Sequence, residues 1–166
     1  MRNIFAIPFL ILVAILQSAI ISRINLLSGS ADLMLIVLAS WALQEQVDSS
    51  WHWAIFGGAL IGFISRLPWI VPIAAYLLEV ALAQVLRRRV WQAPLLAMFS
   101  VVVFGTIIYH SFSLAVLYIS GNPLSISEAI RVISLPSTLL NMLFAIPVYA
   151  LVRDFAAWMY PSVEDV

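Results

Sequence analysis

The chain has 166 residues, 64% of them hydrophobic and 10% charged, with a mean hydropathy of +1.08. Ordinary globular chains carry about 25% charged residues, so a soluble domain of this size would leave too much apolar surface in water. Net charge is zero, which gives no argument for nucleic acid, and the absence of Cys excludes disulfides, Cys-ligated zinc and thiol nucleophiles. All eight basic residues are Arg, and no physical reason for the missing Lys is evident.

These bounds predict one all-α integral membrane domain over 1–166, a bundle of about six transmembrane helices with little outside the bilayer. The first span is expected over about 4–22, between Arg2 and Arg23. Met1-Arg2-Asn3 before an apolar run imitates a signal peptide. No small-x-small cleavage site follows Leu16 and further spans come after it, so a retained first helix is expected. Asn25 to Ala31 reads as a polar turn, and Asp32 falls in the first turn of the second span, about 31–47. An acid there complements the positive helix end, with Ser30 as N-cap. The apolar core of that span, Leu33 to Gln44, is short. It is either a short, protein-buried span or one that stretches to Val47.

The third span, about 51–65, carries Ala54, Gly58 and Gly62, one small residue every four positions. Such a stripe lets another helix approach closely, inside the protein or in a partner. The fourth span, about 68–86, holds Glu79 and runs into Arg87-Arg88-Arg89. The fifth, about 92–120, is long enough to cross with a tilt. After Gly121-Asn122-Pro123, Ser125 and Glu128 have capping-box spacing ahead of a short outer helix at about 126–134. Pro136 opens the last span, about 135–158, with Asn141 and Pro147 inside it.

Six spans put both termini on one side. With that side cytoplasmic, Arg2, Arg87, Arg88, Arg89 and Arg153 lie inside, while Arg23, Arg66 and Arg131 lie outside, which agrees with the positive-inside bias. Trp51, Trp53, Trp69, Trp91, Trp158 and Tyr160 stand near span ends and suit the two membrane interfaces.

Glu79 is the only acid well inside an apolar stretch. It reads either as a proton, cation or partner-helix site, or as a side chain that reaches the cytoplasmic interface or pairs locally. His110 has no second ligand at metal spacing, so a hydrogen bond between helices is the better reading. Gln17, Ser18 and Asn141 are read the same way, with a ligand pocket as the alternative. The triple Arg sets topology and is able to bind anionic lipid head groups or an acidic partner. There is no Gly-x-Ser-x-Gly, no paired His, no Gly-rich phosphate loop followed by Lys and no clustered acids. No catalytic residue, metal or cofactor is therefore expected, and the chain is not expected to be an enzyme.

Three segments in order carry a family resemblance. Leu16-Gln17-Ser18 leads through a Ser/Gly turn to Ala31-Asp32-Leu33 and a run ending Trp41-Ala42-Leu43. Gly57-Gly58-Ala59-Leu60-Ile61-Gly62 and Leu67-Pro68-Trp69 follow. Leu135-Pro136-Ser137-Thr138-Leu139-Leu140-Asn141 continues to Ala145-Ile146-Pro147-Val148-Tyr149. Over nearly the whole chain this resembles MreD, the rod shape-determining membrane protein of bacteria. Two departures stand out: Ala31 where the family often has Pro, and Gly62, followed by Arg66, where many members carry Asp.

The resemblance implies a non-enzymatic subunit of the cell-elongation complex in the bacterial inner membrane. It would associate with MreC and, through it, with the wall synthase RodA and its transpeptidase and with MreB filaments. The family is similar in fold to the six-helix substrate-binding subunits of vitamin transporters, so a transporter subunit is the alternative. Those subunits usually show Ala-x-x-x-Ala docking in the first helix and a polar ligand loop. Here only Ala14 and Ser18 stand at that spacing, and the outer connections are short.

Overall fold

The computed structural model describes residues 6–47, 50–65, 67–89, 93–121 and 125–160. Among these the chain is helical apart from one small hairpin. The helices are α1 (Ala6–Ala19), α2 (Leu33–Ala42), α3 (Ser50–Ile64), α4 (Ile70–Arg89), α5 (Pro94–Ile119) and α6 (Ile126–Met159). A single 3-10 turn, Ile21–Arg23, and the two-residue strands β1 (Asn25–Leu26) and β2 (Gly29–Ser30) link α1 to α2. Residues 70–88 of α4, 94–119 of α5 and all of α6 are long and apolar enough to cross a membrane; the first three helices are apolar but shorter.

The second helix is the short, protein-buried alternative. It ends at Ala42 rather than continuing to 47, and every residue from Met34 to Ala42 is buried. It touches all five other helices. A helix that is apolar all round belongs inside a bundle, and the sequence of α2 has no polar stripe to turn outward. Around it, α1 packs on α3, α3 on α4, α4 on α5 and α5 on α6. The ring closes where Phe9 of α1 stacks on Phe155 of α6, with centroids 4.6 Å apart.

The small-residue stripe of α3 is spent on these internal contacts. A Cβ on Gly58 would sit 2.6 Å from the Ile73 Cα, and one on Gly62 would sit 2.8 Å from the Trp69 Cβ. Ala54 is fully buried. Trp53 departs from the expected interfacial position: it is 2% exposed and stacks on Trp41 at 3.9 Å. Phe9 of α1 also packs on it, at 5.9 Å, and these apolar contacts outweigh its place near a helix end. Trp51, Trp69 and Trp158 are exposed, Tyr160 is half-buried, and Trp91 lies outside the described residues.

The end of the chain has the expected segments without the expected separation. The helix expected at 126–134 forms, as Ile126–Glu128 and a π segment over Ala129–Ser134, but it runs without a break into Leu135–Met159, so α6 is one continuous helix of 34 residues. Pro136 stands in the first turn of that last stretch, directly after the π segment, where the Leu135 N–H bonds to Ile130 O. Pro136 has no N–H for the Val132 carbonyl four residues earlier. The Ser28 N–H of the hairpin takes that carbonyl instead, at 3.1 Å. The hairpin seats there because residue 29 is Gly: a Cβ would lie 2.7 Å from both Ile133 O and Ser137 N. The capping box is also not formed, since Ser125 makes no side-chain cap bond.

Arg87 fixes the far end of α2. Its Nη1 donates to the carbonyls of Ala42, Gln44 and Val47 at 3.4, 2.6 and 3.0 Å. Ala42 O is one of the carbonyls a helix C-terminus leaves unsatisfied, while Gln44 and Val47 belong to the turn that follows the helix. Arg88 is exposed, and the Arg89 side chain lies outside the described residues. Arg87→Ala should therefore cost about 2–4 kcal/mol, from the loss of hydrogen bonds to a charged donor. Arg88→Ala should be within about 0.5 kcal/mol of the parent. Thermal unfolding of the two variants in the same detergent checks this contrast.

Candidate functional site

The end of the bundle where α1 and α3 finish and α2 and α4 begin collects most of the polar side chains. Asp32, not Ser30, caps α2, its Oδ1 accepting the Leu35 N–H at 3.0 Å. Asp32 holds that place because the helix begins at Leu33, directly after it; the Ser30 N–H bonds instead to Ser137 Oγ, at 3.1 Å. The second carboxyl oxygen, Oδ2, accepts from the Tyr76 hydroxyl at 2.8 Å.

Two amides hold the entrance to the helix. Gln17 uses both ends of its side chain: Nε2 donates to Ala31 O at 3.0 Å and Oε1 accepts from the Leu33 N–H at 2.6 Å. Asn141 does the same from α6, with Oδ1 accepting the Asp32 N–H at 2.7 Å and Nδ2 donating to Thr106 Oγ1 at 2.8 Å. Gln17, Asp32 and Asn141 therefore converge. His110 lies beside them, its Nδ1 3.0 Å from Ser134 Oγ, linking α5 to α6. Ser18 does not join the set. It is exposed, and its hydroxyl donates to Ile15 O within its own helix, at 3.1 Å.

Glu79 matches neither half of the bland alternative. It is 0% exposed, so it does not reach an interface, and neither carboxyl oxygen has a hydrogen-bond partner among the described residues. It lies against α5 where residue 105 is Gly; a Cβ there would stand 2.7 Å from its Oε1. Buried polar groups are nearly always hydrogen-bonded, which makes this carboxyl the most costly group in the bundle interior.

A cleft of ≈ 180 Å³ is lined by Gln17, Asp32, Ser65, Tyr109, His110 and Asn141, with Leu35 and Ile61 as apolar wall. A second cleft, ≈ 240 Å³, lies at the opposite end beside Arg87, Glu45 and Tyr149. No group of three His, Cys, Asp or Glu gathers at ligand distance among the described residues.

Tyr76, Ser65, Thr106 and Ser137 were not singled out from the sequence as site residues. The signal for two of them was present. Tyr76 stands three residues before Glu79, and Thr106 three before Tyr109, a spacing that puts each pair on one helix face. Ser137 and Ser65 depend on which helices meet, which no local pattern reveals.

Comparison of the chain with protein-family models, with curated proteins and with solved structures yields no match.

Two substitutions probe this end of the bundle. Asn141→Ala should destabilise by about 2–3 kcal/mol, because it strands the Asp32 N–H and removes the donor to Thr106 Oγ1, which keeps its bond to Val102 O, while Ser18→Ala should be near neutral. Gly105→Ala should cost about 1–3 kcal/mol by overpacking, and most of that should return in the Gly105→Ala/Glu79→Ala double variant. A double-mutant cycle of melting temperatures in detergent measures the coupling; additive effects would contradict the packed pair.

Proposed function

We propose that this chain is a six-pass bacterial inner-membrane protein of the MreD type. It acts as a non-enzymatic scaffold of the cell-elongation complex, packing helices against MreC and through it supporting RodA, its transpeptidase and MreB filaments. One observation carries the reading: the separate segments behind the resemblance are bonded to one another. Gln17 holds the backbone of Ala31 and Leu33, Ser137 holds Ser30, and Asn141 holds Asp32. A sequence likeness made of short apolar motifs has little weight alone; its polar members meeting in one network gives a physical reason for their order.

The charge pattern supports an orientation with both termini cytoplasmic. Arg87 and Arg88 stand at the end of α4 that also carries the C-terminal end of α6, with Arg153 in it. Clustered Arg favours the cytoplasmic side. A scaffold role also agrees with polar side chains that mostly satisfy the fold's own backbone. The vitamin-transporter alternative is less well supported, because the ≈ 180 Å³ cleft is smaller than the roughly 300–1,000 Å³ typical of small-molecule pockets.

Co-purification in mild detergent is the test. MreC should be retained by the tagged protein, and depletion in the host should round the cells and disperse wall labelling. Retention of paired ATPases without MreC, or unchanged shape on depletion, would contradict the scaffold.

A further inference from the structure

The ≈ 180 Å³ cleft contains polar atoms that the fold does not use. Asp32 is part-exposed and lines the cleft, and its carboxyl oxygens accept from Leu35 N–H and from Tyr76, with Met34 N–H also directed at the carboxyl. A carboxylate has about four acceptor positions, so one direction remains. No cation pairs with it among the described residues; the ion pair found there is Arg153–Asp154, at the other end of the bundle. Ser65 Oγ also lines the cleft, buried and without a partner among the described residues. The Tyr109 hydroxyl has none there either, and His110, engaged through Nδ1, keeps Nε2 free.

An acidic group and neutral acceptors, with no Arg or Lys among the described lining residues and His110 engaged through Nδ1, select for a small cation. A divalent metal is a poor fit, since it takes six or more oxygen ligands and usually several carboxylates, and one carboxylate lines this cleft. A quaternary ammonium has no N–H for the free acceptors. A primary ammonium brings three donors, which suits Asp32, Ser65 and the Tyr109 hydroxyl.

We infer that this cleft binds a primary ammonium group, received by the Asp32 carboxylate with Ser65 Oγ and Tyr109 beside it. The group comes either from an ethanolamine-headed lipid or from a free amine. The inference is independent of the partner proposed above, because no residue in it is assigned to MreC.

The full-length protein in nanodiscs of equal phosphatidylethanolamine, phosphatidylcholine and phosphatidylglycerol is released for native mass spectrometry. In parallel, its melting in detergent is followed with added ethanolamine or choline. Phosphatidylethanolamine should be retained about tenfold over phosphatidylcholine, the effect of one charge-assisted hydrogen-bonded contact. A response to the lipid alone assigns the source to the head group, and stabilisation by free ethanolamine but not choline assigns it to a soluble amine; either supports the site. Asp32→Asn keeps a side-chain oxygen to cap α2 and should abolish the preference, and Ser65→Ala and Tyr109→Phe, which leave the cap untouched, should each weaken it. Equal retention of the three lipids with equal melting in ethanolamine and choline overturns the inference. So does a preference that survives in all three variants.

Discussion

The fold depends on sealing both ends of one short helix inside the bundle. The ten residues of α2 rise about 15 Å, half of the roughly 30 Å hydrocarbon layer of a bilayer. Its ends therefore lie among other helices, and the N–H and C=O groups that a helix leaves open at its termini need protein partners. Asp32 and Gln17 take the amides of Leu35 and Leu33 at one end. At the other, Arg87 takes the Ala42 carbonyl and ties it to the Gln44 and Val47 carbonyls of the turn that follows. Apolar packing around α2 is non-directional and would tolerate sliding; these hydrogen bonds fix where the helix stops.

The π segment in α6 serves the same end. Pro136 frees the Val132 carbonyl, the hairpin occupies it through Ser28, and Gly29 allows the backbones to meet. With the hairpin held, Ser30 reaches Ser137 and Asp32 reaches Asn141 one turn further along. A π segment at this point is a local cost that the docked hairpin offsets, consistent with the habit of such segments to mark sites where another element inserts. The polar cleft forms where this junction meets the end of α3 and the face of α5 that carries Thr106 and Tyr109.

Much of this was legible in the chain. The number of apolar segments, the close approach along Gly58 and Gly62, and the polar roles of Gln17 and Asn141 follow from composition, spacing and the cost of unpaired amides in apolar surroundings, while the second helix was open between a short buried one and one reaching Val47. What the sequence did not reveal was tertiary. Trp53 looks interfacial by position and is buried because Trp41 covers it. Ser18 and Gln17 are adjacent, yet one helical step separates a side chain facing α2 from one bonded to its own helix. Ser125 stands at the N-cap position with Glu128 at capping-box spacing, yet it makes no side-chain cap bond. Arg87 reads as a topology signal like its neighbours, and only the folded chain distinguishes it by the carbonyls within reach.

Backbone hydrogen exchange in detergent tests the sealed helix directly, read amide by amide at Asp32, Leu33 and Leu35. Amides at a helix start have no intrahelical acceptor and ordinarily exchange within the first phase. Here Asn141, Gln17 and Asp32 supply acceptors, so these three amides should exchange as slowly as those in the middle of α2, and Gln17→Leu should release Leu33. Fast exchange at all three in the parent protein, with the middle of α2 protected, would contradict the account.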